Sequence, residues 1–479
     1  MAQNTSPRFV QIGYFYLFFP VLIFVLGWCN LPTVLLGIPL LCISCYLLCK
    51  NAPKLWVPQN SKQKALLISI ALISLLWVCS SGIGALVFQN LDHNCRNPLF
   101  EMLVQNHWPV VVDTGGGTAI LTYYIGFWMP SALLGKLLHS VQMGYYCQIA
   151  WATIGIFIFF YLVLACLKRK NYLPILIFIF FSGLDALGHV LLNNLEPLAQ
   201  PISHLEWWFP YFQFSSFTTQ LFWVFNQAIP AWVAVLLMYH ERNNKNLIFL
   251  YACLFLQSTL PAIGLFPFVM YWYLKNGTSF LFLKSGLVHL KKVILSSFTF
   301  QNIIGGILIT IISFSYLSGN VSGAHRSLLS PSLLQFCTWL GSFFLAEAGL
   351  FLLCLYKHQR HNILFYLTLV CLLLYPFIKV GASADFCMRA TIPPLVLLYI
   401  MVVQNIESYS FKKRQPFAYY VLVVLLCIGS VTPLHEFSRT FYLTSKGITK
   451  VAPALSFNNF FGWTQDNLFL KYFGKDVKN

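Results

Sequence analysis

The sequence predicts an all-α fold, a polytopic α-helical membrane protein with about 12–13 transmembrane helices. Hydrophobic residues make up 58% and charged residues 9% of the 479 residues, and the mean hydropathy is +0.71. This composition excludes an ordinary soluble globule. Apolar stretches of roughly 20 residues, the length that crosses the hydrocarbon core, recur between short polar breaks. We therefore expect a single transmembrane bundle over residues 1–434 and an extracytoplasmic tail over 435–479.

The first apolar stretch, at 9–29, is followed at once by a second at 32–49. It lacks a small-residue cleavage pattern, so it is expected to remain as a signal anchor. Most of the 14 cysteines lie inside apolar runs, where thiols act as small hydrophobic groups, and their spacing predicts no zinc site. The net charge of +17 comes from short basic clusters between spans, which is typical of membrane orientation rather than of nucleic-acid binding.

These basic clusters predict the topology. A cytoplasmic N-terminus places the basic residues before position 65 inside, and the span at 65–88 then leads out to Asp92. The next cluster, Lys168–Lys170, is also inside only if a single crossing separates it from Asp92. We therefore expect residues 89–144 to form a large first outer loop, in which the apolar stretch 119–138 lies in the interface and does not span.

The same rule requires residues 247–275 to form a hairpin or re-entrant pair. Pro261, Gly264 and Pro267 lie near its middle, where they favour an interrupted helix.

The first outer loop contains two predicted interfacial helices. Asn97 and Pro98 favour a helix start, and one face of the segment near 98–108 carries Leu99, Phe100, Leu103, Val104 and Trp108. The glycines at 115–117 predict an irregular loop tip; no strand is predicted before them and no Lys-Ser/Thr follows, so a phosphate-binding P-loop is not expected. A second helix is expected to carry Tyr123, Tyr124, Trp128 and Pro130.

With these elements the chain resembles the type C (GT-C) superfamily of polytopic glycosyltransferases. In that fold a spanning helix ends at an acidic residue, here Asp92, and an outer loop with two juxtamembrane helices follows. The resemblance implies an inverting membrane glycosyltransferase that moves a sugar from a polyprenyl-phosphate-linked donor to a cell-surface glycan or glycolipid acceptor on the extracytoplasmic face. One departure is that His93, rather than a second acid, follows Asp92.

The chain is also similar to uncharacterised bacterial multi-span membrane proteins, which implies a bacterial inner (plasma) membrane. The shared landmarks are Ser182-Gly183-Leu184-Asp185, His204-Leu205-Glu206-Trp207-Trp208, Asp385-Phe386-Cys387-Met388-Arg389 and Phe469-Leu470-Lys471-Tyr472-Phe473.

Transfer from a phosphate-linked donor needs a carboxylate to deprotonate the acceptor and a cation to hold the departing phosphate. Asp92 is the candidate catalytic base; the alternative is a solvated acid or a cap for the following helix. A divalent cation such as Mg or Mn is compatible with the oxygen and imidazole side chains present, although no fixed ligand spacing appears.

The candidate substrate-binding residues lie in three further segments. Asp185 and His189 are one helical turn apart in a span that begins near Leu173. His204 and Glu206 lie in the next outer loop, beside two tryptophans that read as interfacial anchors or sugar platforms.

The third segment contains Lys379, Asp385 and Arg389 at the outer end of a later span. Arg389 is suited to hold a lipid-linked phosphate, because its guanidinium fork matches two oxygen atoms of an oxyanion. The alternative is an internal pair with Asp385.

Two other functions remain open. A polysaccharide polymerase or ligase also has many spans, but tends to concentrate arginines in its outer loops. A secondary transporter or flippase would use a buried acid such as Glu347, although the sequence lacks the two similar, interrupted halves typical of that class.

Overall fold

The computed structural model describes residues 5–476, apart from 115–116, 193, 210, 277–285, 321–332, 379, 381–383, 411–413, 450–459 and 466. Eight helices within this part of the chain are long and apolar enough to cross a membrane. They are Arg8–Trp28 (α1), Leu31–Lys50 (α2), Ser61–Cys79 (α3), Val141–Ala165 (α6), Phe217–His240 (α10), Leu334–Gln359, Ile392–Tyr409 and Phe417–Ser445. The protein is therefore a mainly helical polytopic membrane protein.

The last three of these spans are divided into helices that are numbered separately. Leu333–Phe344 (α15) continues through a π-helical turn, Leu345–Gly349, into Leu350–Gln359 (α16). Ile392–Ser410 is α19, and Phe417–Gly429 (α20) runs directly into Val431–Ser445 (α21). Two shorter apolar helices lie at Gln301–Leu317 and Ile363–Phe377. Among the described residues this gives eight long and two short apolar helices, against the 12 or 13 spans expected from sequence.

The remaining helices are short or partly polar. They are His93–Gln105 (α4), Met129–Leu137 (α5), Leu173–Ile179 (α7), Asp185–Leu191 (α8), Glu196–Ala199 (α9), Leu247–Ala252 (α11), Thr259–Asn276 (α12), Gly286–Ser297 (α13), Gly306–Leu317 (α14), Ile363–Leu374 (α17), Asp385–Ala390 (α18) and Leu468–Tyr472 (α22). The strands are Thr5–Ser6 (β1), Leu55–Trp56 (β2), Val111–Asp113 (β3), Thr118–Leu121 (β4) and Phe461–Trp463 (β5).

Helix α10 forms the centre of the bundle. Its whole apolar window is buried, and it packs against α1, α6, α12 and α19. In contrast, only a minority of α2 and α3 is buried, and large apolar side chains such as Leu35, Leu36 and Ile68 are exposed. An apolar outer surface of this kind is the one that lipid tails cover.

The first loop after α3 differs from the prediction in its helix boundaries. The span ends at Cys79 rather than near 88, because Gly82 and Gly84 adopt positive φ angles of 87° and 77° that a regular helix excludes. Helix α4 begins at His93, before the predicted start, and includes Pro98. Its buried face carries Leu99, Phe100, Leu103 and Val104, as the periodicity predicted.

The apolar stretch at 119–138 contains no helix long enough to span. It forms β4, a 3₁₀ turn at Gly126–Trp128 and the nine-residue helix α5, which is about 14 Å long. Gly135 lets α5 pack closely on α6, because a Cβ atom there would lie 2.9 Å from the Gly144 Cα. On which side of the membrane this loop lies stays a prediction.

A small sheet was not predicted. Strands β3 and β4 form an antiparallel hairpin around the glycine-rich tip, of which 115 and 116 lie outside the described residues. Strand β5 pairs with β4, so the tail returns to the first loop. The tail boundary at 434 falls inside α21, and Phe469 is buried against the rings of Phe24 and Tyr316. Described residues of the expected tail, among them Phe469, therefore pack on the bundle.

One predicted span and the predicted re-entrant pair at 247–275 are both interrupted. The one expected from Leu173 consists of α7 and α8, separated by residues 180–184. The segment at 247–275 breaks at 253–258, between α11 and α12, and not at its prolines. Gly264 instead lies within α12 where α18 crosses it, since a Cβ atom would lie 2.7 Å from the Ala390 carbonyl carbon. This close crossing sets the position of α18.

Candidate functional site

A cavity of about 170 Å³ lies where α4, α10 and α18 meet the loop before α10. Its walls combine acids, an imidazole and indole rings from segments far apart in sequence. The lining residues are Asp92, His204, Trp207, Gln213, Thr219, Trp223, Ala384, Asp385 and Met388. The structure thus brings together three of the predicted site residues, Asp92, His204 and Asp385.

Asp92 directly precedes α4 and is paired with Arg96 one turn later, at 2.6 Å between Oδ2 and Nη2. The Asp92 side chain is 24% exposed, whereas Arg96 is buried. Asp92 makes no capping hydrogen bond to the described backbone of α4, so the helix-cap alternative does not apply. His93 points away from the cavity, since its ring stacks on Phe225. A partly exposed carboxyl group, paired with Arg96, thus remains at the cavity wall.

Arg389 lies in α18, next to the cavity-lining residue Met388. Its Nη1 lies 3.0 Å from Asp385 Oδ2, and its side chain is buried while that of Asp385 is 40% exposed. Burial lowers the pKa of Arg389, but the charges of Asp385, Tyr124, Tyr123 and Asp92 outweigh it and raise that pKa. The internal pair with Asp385 is therefore present, and the same guanidinium also interacts with Asp92.

His204 is held by a glutamate that the sequence analysis missed. Its Nδ1 lies 2.5 Å from Glu436 Oε1, in α21. Glu436 also accepts from Trp223 Nε1 at 3.2 Å and from Arg439 Nη1 at 3.1 Å. Arg439 in turn donates to Asn90 Oδ1 at 2.6 Å. This chain of contacts fixes the imidazole ring in the cavity wall.

Glu206 lies behind His204 and is fully buried. Its Oε1 accepts from the Ser216 backbone N–H at 2.8 Å, and its Oε2 accepts from Gln213 Nε2 at 2.9 Å. Burial raises the pKa of Glu206 to about 7, with a further contribution from the Asp185 charge; His204 and the hydrogen bonds oppose this rise. Glu206 therefore changes charge near neutral pH.

Asp185 and His189 are buried in α8 and do not line the cavity. Asp185 Oδ2 accepts from Ser182 Oγ at 2.9 Å and from Thr432 Oγ1 at 2.8 Å. Nε2 of His189 lies 2.9 Å from the Leu205 carbonyl oxygen. Both residues thus hold the polypeptide behind the cavity wall together.

The π-helical turn at Leu345–Gly349 approaches this region closely. Glu347 lies on it, and its Oε1 accepts from Trp208 Nε1 at 2.9 Å. Gly183 makes the approach possible, because a Cβ atom there would lie 2.5 Å from the Glu347 Cδ.

The two neighbouring tryptophans have different environments. Trp207 lines the cavity with 59% of its surface exposed, and its ring contacts that of His204 edge to face at 5.0 Å. Trp208 is buried beside Glu347. Trp207 alone of this pair is placed as an aromatic platform for a ligand. Lys379, the remaining predicted binding residue, lies outside the described residues.

Within the described ranges, no group of three or more His, Cys, Asp or Glu side chains is arranged to hold a metal ion. The divalent cation expected from sequence stays a prediction. No protein-family model, no curated protein and no solved structure matches this chain.

Proposed function

We propose that this protein is a membrane glycosyltransferase that moves a sugar from a polyprenyl-phosphate-linked donor to a glycan or glycolipid acceptor on the extracytoplasmic face. The observation that carries this proposal is that Asp92 and Asp385 line one small cavity, while Arg389 is paired with Asp385 and is close enough to Asp92 to be affected by its charge. A carboxylate can take the acceptor proton, and a fixed guanidinium can hold the phosphate.

The proposed reaction is a single displacement. Asp92 takes the proton from the acceptor hydroxyl, and the acceptor oxygen attacks the anomeric carbon. The bond from that carbon to the phosphate oxygen breaks, and its electron pair leaves with the phosphate. Attack opposite to the leaving group inverts the anomeric configuration. Arg389 stabilises the charge that develops on the phosphate.

The surroundings of the cavity suit these two substrates. Trp207 offers an exposed ring on which the apolar face of a sugar can stack. Apolar side chains stand exposed along the segment before His204, which would adjoin the isoprenoid chain of the donor: Leu191, Leu192, Leu195 and Ile202.

The test is transfer by the purified protein in lipid nanodiscs, with a panel of sugars on polyprenyl phosphate and diphosphate. Asp92→Asn is expected to lower the rate by about a hundredfold or more, because it removes the base and keeps the side-chain shape. Asp113→Asn is the matched control, since this acid is exposed on the β3 strand and away from the cavity. Near-normal transfer by Asp92→Asn, with folding verified by gel filtration, would refute the assignment.

Two alternatives give different outcomes in the same preparation. A polymerase or ligase would lengthen or join an oligosaccharide rather than add one sugar. A proton-coupled transporter is favoured by one observation, the burial of the Glu347 carboxyl group in an otherwise apolar span, because acids in such positions can serve as proton relays. Uptake into proteoliposomes that depends on a pH gradient and is lost in Glu347→Gln would favour transport.

A further inference from the structure

The cavity contains an imidazole that the displacement described above does not use. His204 Nδ1 is bonded to Glu436, so the proton on that nitrogen is fixed towards the carboxylate. The other ring nitrogen, Nε2, lies 3.7 Å from Glu206 Oε2, beyond hydrogen-bond distance, and it has no hydrogen-bond acceptor among the described residues. An imidazolium in this position has one N–H to offer to a ligand.

Charged groups on three sides favour the protonated form of this imidazole. Glu436 and Arg439 face it from α21, Glu206 lies behind it, and Asp92 and Asp385 line the same cavity. Burial lowers the pKa of His204, but the charge of Glu436, its hydrogen bond and the charge of Glu206 outweigh this and raise it, against the repulsion from Arg439.

We propose that His204, oriented by Glu436, is a second acid–base group of this cavity and contacts the phosphate of an isoprenyl phosphate ligand. This inference rests on the proposed function and names the group that receives the leaving phosphate. When the bond from the anomeric carbon breaks, the phosphate oxygen that keeps the electron pair takes the proton from Nε2. The acceptor proton then resides on Asp92, and it returns to the neutral His204 through cavity water, so the protons balance.

Glu436 is a positioning residue in this scheme. It does not touch the ligand, and it acts by fixing the ring and by favouring its charged form, as a carboxylate does for a histidine general acid. Trp223 and Arg439 hold Glu436 in turn.

The experiment measures binding of farnesyl phosphate to the full-length protein in phosphatidylcholine nanodiscs between pH 5.5 and 9. At each pH, the Kd of His204→Gln is divided by the Kd of the wild type. Titration of the farnesyl phosphate affects both values alike, so it cancels in this ratio. We expect a ratio of about ten at pH 5.5, because a charge-assisted hydrogen bond is lost, and a ratio near one at pH 9. His435→Gln is the matched control, since its Nε2 faces the Gln200 carbonyl oxygen outside the cavity.

A second variant shows whether the effect of His204→Gln comes from a folding defect. Glu436→Gln keeps the imidazole, so it is expected to move the pH midpoint of the wild-type effect downwards rather than to abolish it. A ratio for His204→Gln that is near one at pH 5.5, or equal at all pH values, would overturn the proposal. Equal affinity for inorganic phosphate would overturn its lipid part.

The binding result and the transfer result are separable. If the ratio behaves as expected while no donor is consumed by the wild type, the phosphate contact stands and the transferase assignment fails.

Discussion

Replacing Glu206 with glutamine should change how the stability of the protein depends on pH. The Glu206 pKa is about 7 in the folded protein, against an ordinary value of 4.5. Below pH 4.5 the group is protonated in both the folded and the unfolded state, so it adds no pH dependence. Between 4.5 and 7 the unfolded state loses its proton first, and the free energy of unfolding falls. A difference of 2.5 pH units corresponds to about 3 kcal/mol.

Titration of His204 also lowers the free energy of unfolding as the pH rises. Its raised pKa gives stability that is fully present below the unfolded value of 6.5 and is lost as the pH rises through the folded value. Glu206→Gln keeps His204 and its contact with Glu436 but removes the part of the raised His204 pKa that is due to Glu206, so the difference between wild type and variant reports on Glu206 together with this coupling. The substituted amide would still offer an oxygen to the Ser216 N–H.

The assay is reversible unfolding in mixed micelles of dodecyl maltoside and dodecyl sulfate, followed by tryptophan fluorescence. Relative to the wild type, Glu206→Gln is expected to gain about 3 kcal/mol between pH 4.5 and pH 8. Glu196→Gln is the control and should show no such gain, because Glu196 is exposed. A wild-type-to-variant difference that stays constant over this range would mean that Glu206 is charged throughout, and the reasoning would fail.

Two further predictions concern packing and the aromatic wall. Gly183→Ala is expected to lower the free energy of unfolding by about 3 kcal/mol or more, measured as a lower Tm, because the added methyl group meets the Glu347 carboxyl. Gly341→Ala is the control and should not destabilise the protein, because a Cβ atom there has nothing within 4 Å. Equal Tm values for the two variants would contradict this account. Trp207→Ala is expected to raise the KM for the donor or the acceptor about tenfold without changing the Tm, because the exposed ring contributes stacking rather than core packing. Trp207→Phe should retain most of the affinity. An unchanged KM in the alanine variant would exclude Trp207 as a platform for the sugar.

The parts of the fold that could be predicted are those with a local signal. Runs of apolar residues located the long helices α1 and α2, and the periodicity of α4 identified its buried face. The absence of a spanning helix at 119–138 followed from the distribution of basic residues across neighbouring loops, and the described segment has only a short helix there. These signals depend on residues close together in the chain.

The parts that could not be predicted depend on contacts between distant residues. Glu436 lies 232 positions from His204, and no periodic pattern relates the two. It was assigned to a tail that begins inside what is one long helix, α20 followed by α21. Asp185 was expected to belong to the site as a buried acid in a span, but Ser182 and Thr432 engage it behind the cavity wall. A buried acid in a membrane protein signals a polar partner, and the sequence does not say which one.

The pairing of β5 with β4 has a consequence for biogenesis. Leu121 pairs with Phe461, so the third strand of this sheet is made 340 residues after the second. The Thr122 backbone N–H donates to the Phe460 carbonyl oxygen, and the Phe460 ring packs on Tyr123, a neighbour of Arg389. A nascent chain therefore inserts all its intervening helices while this corner is still unfinished. The sheet is completed late in synthesis, and a chain truncated before residue 461 would lack the strand that packs on the β3–β4 hairpin.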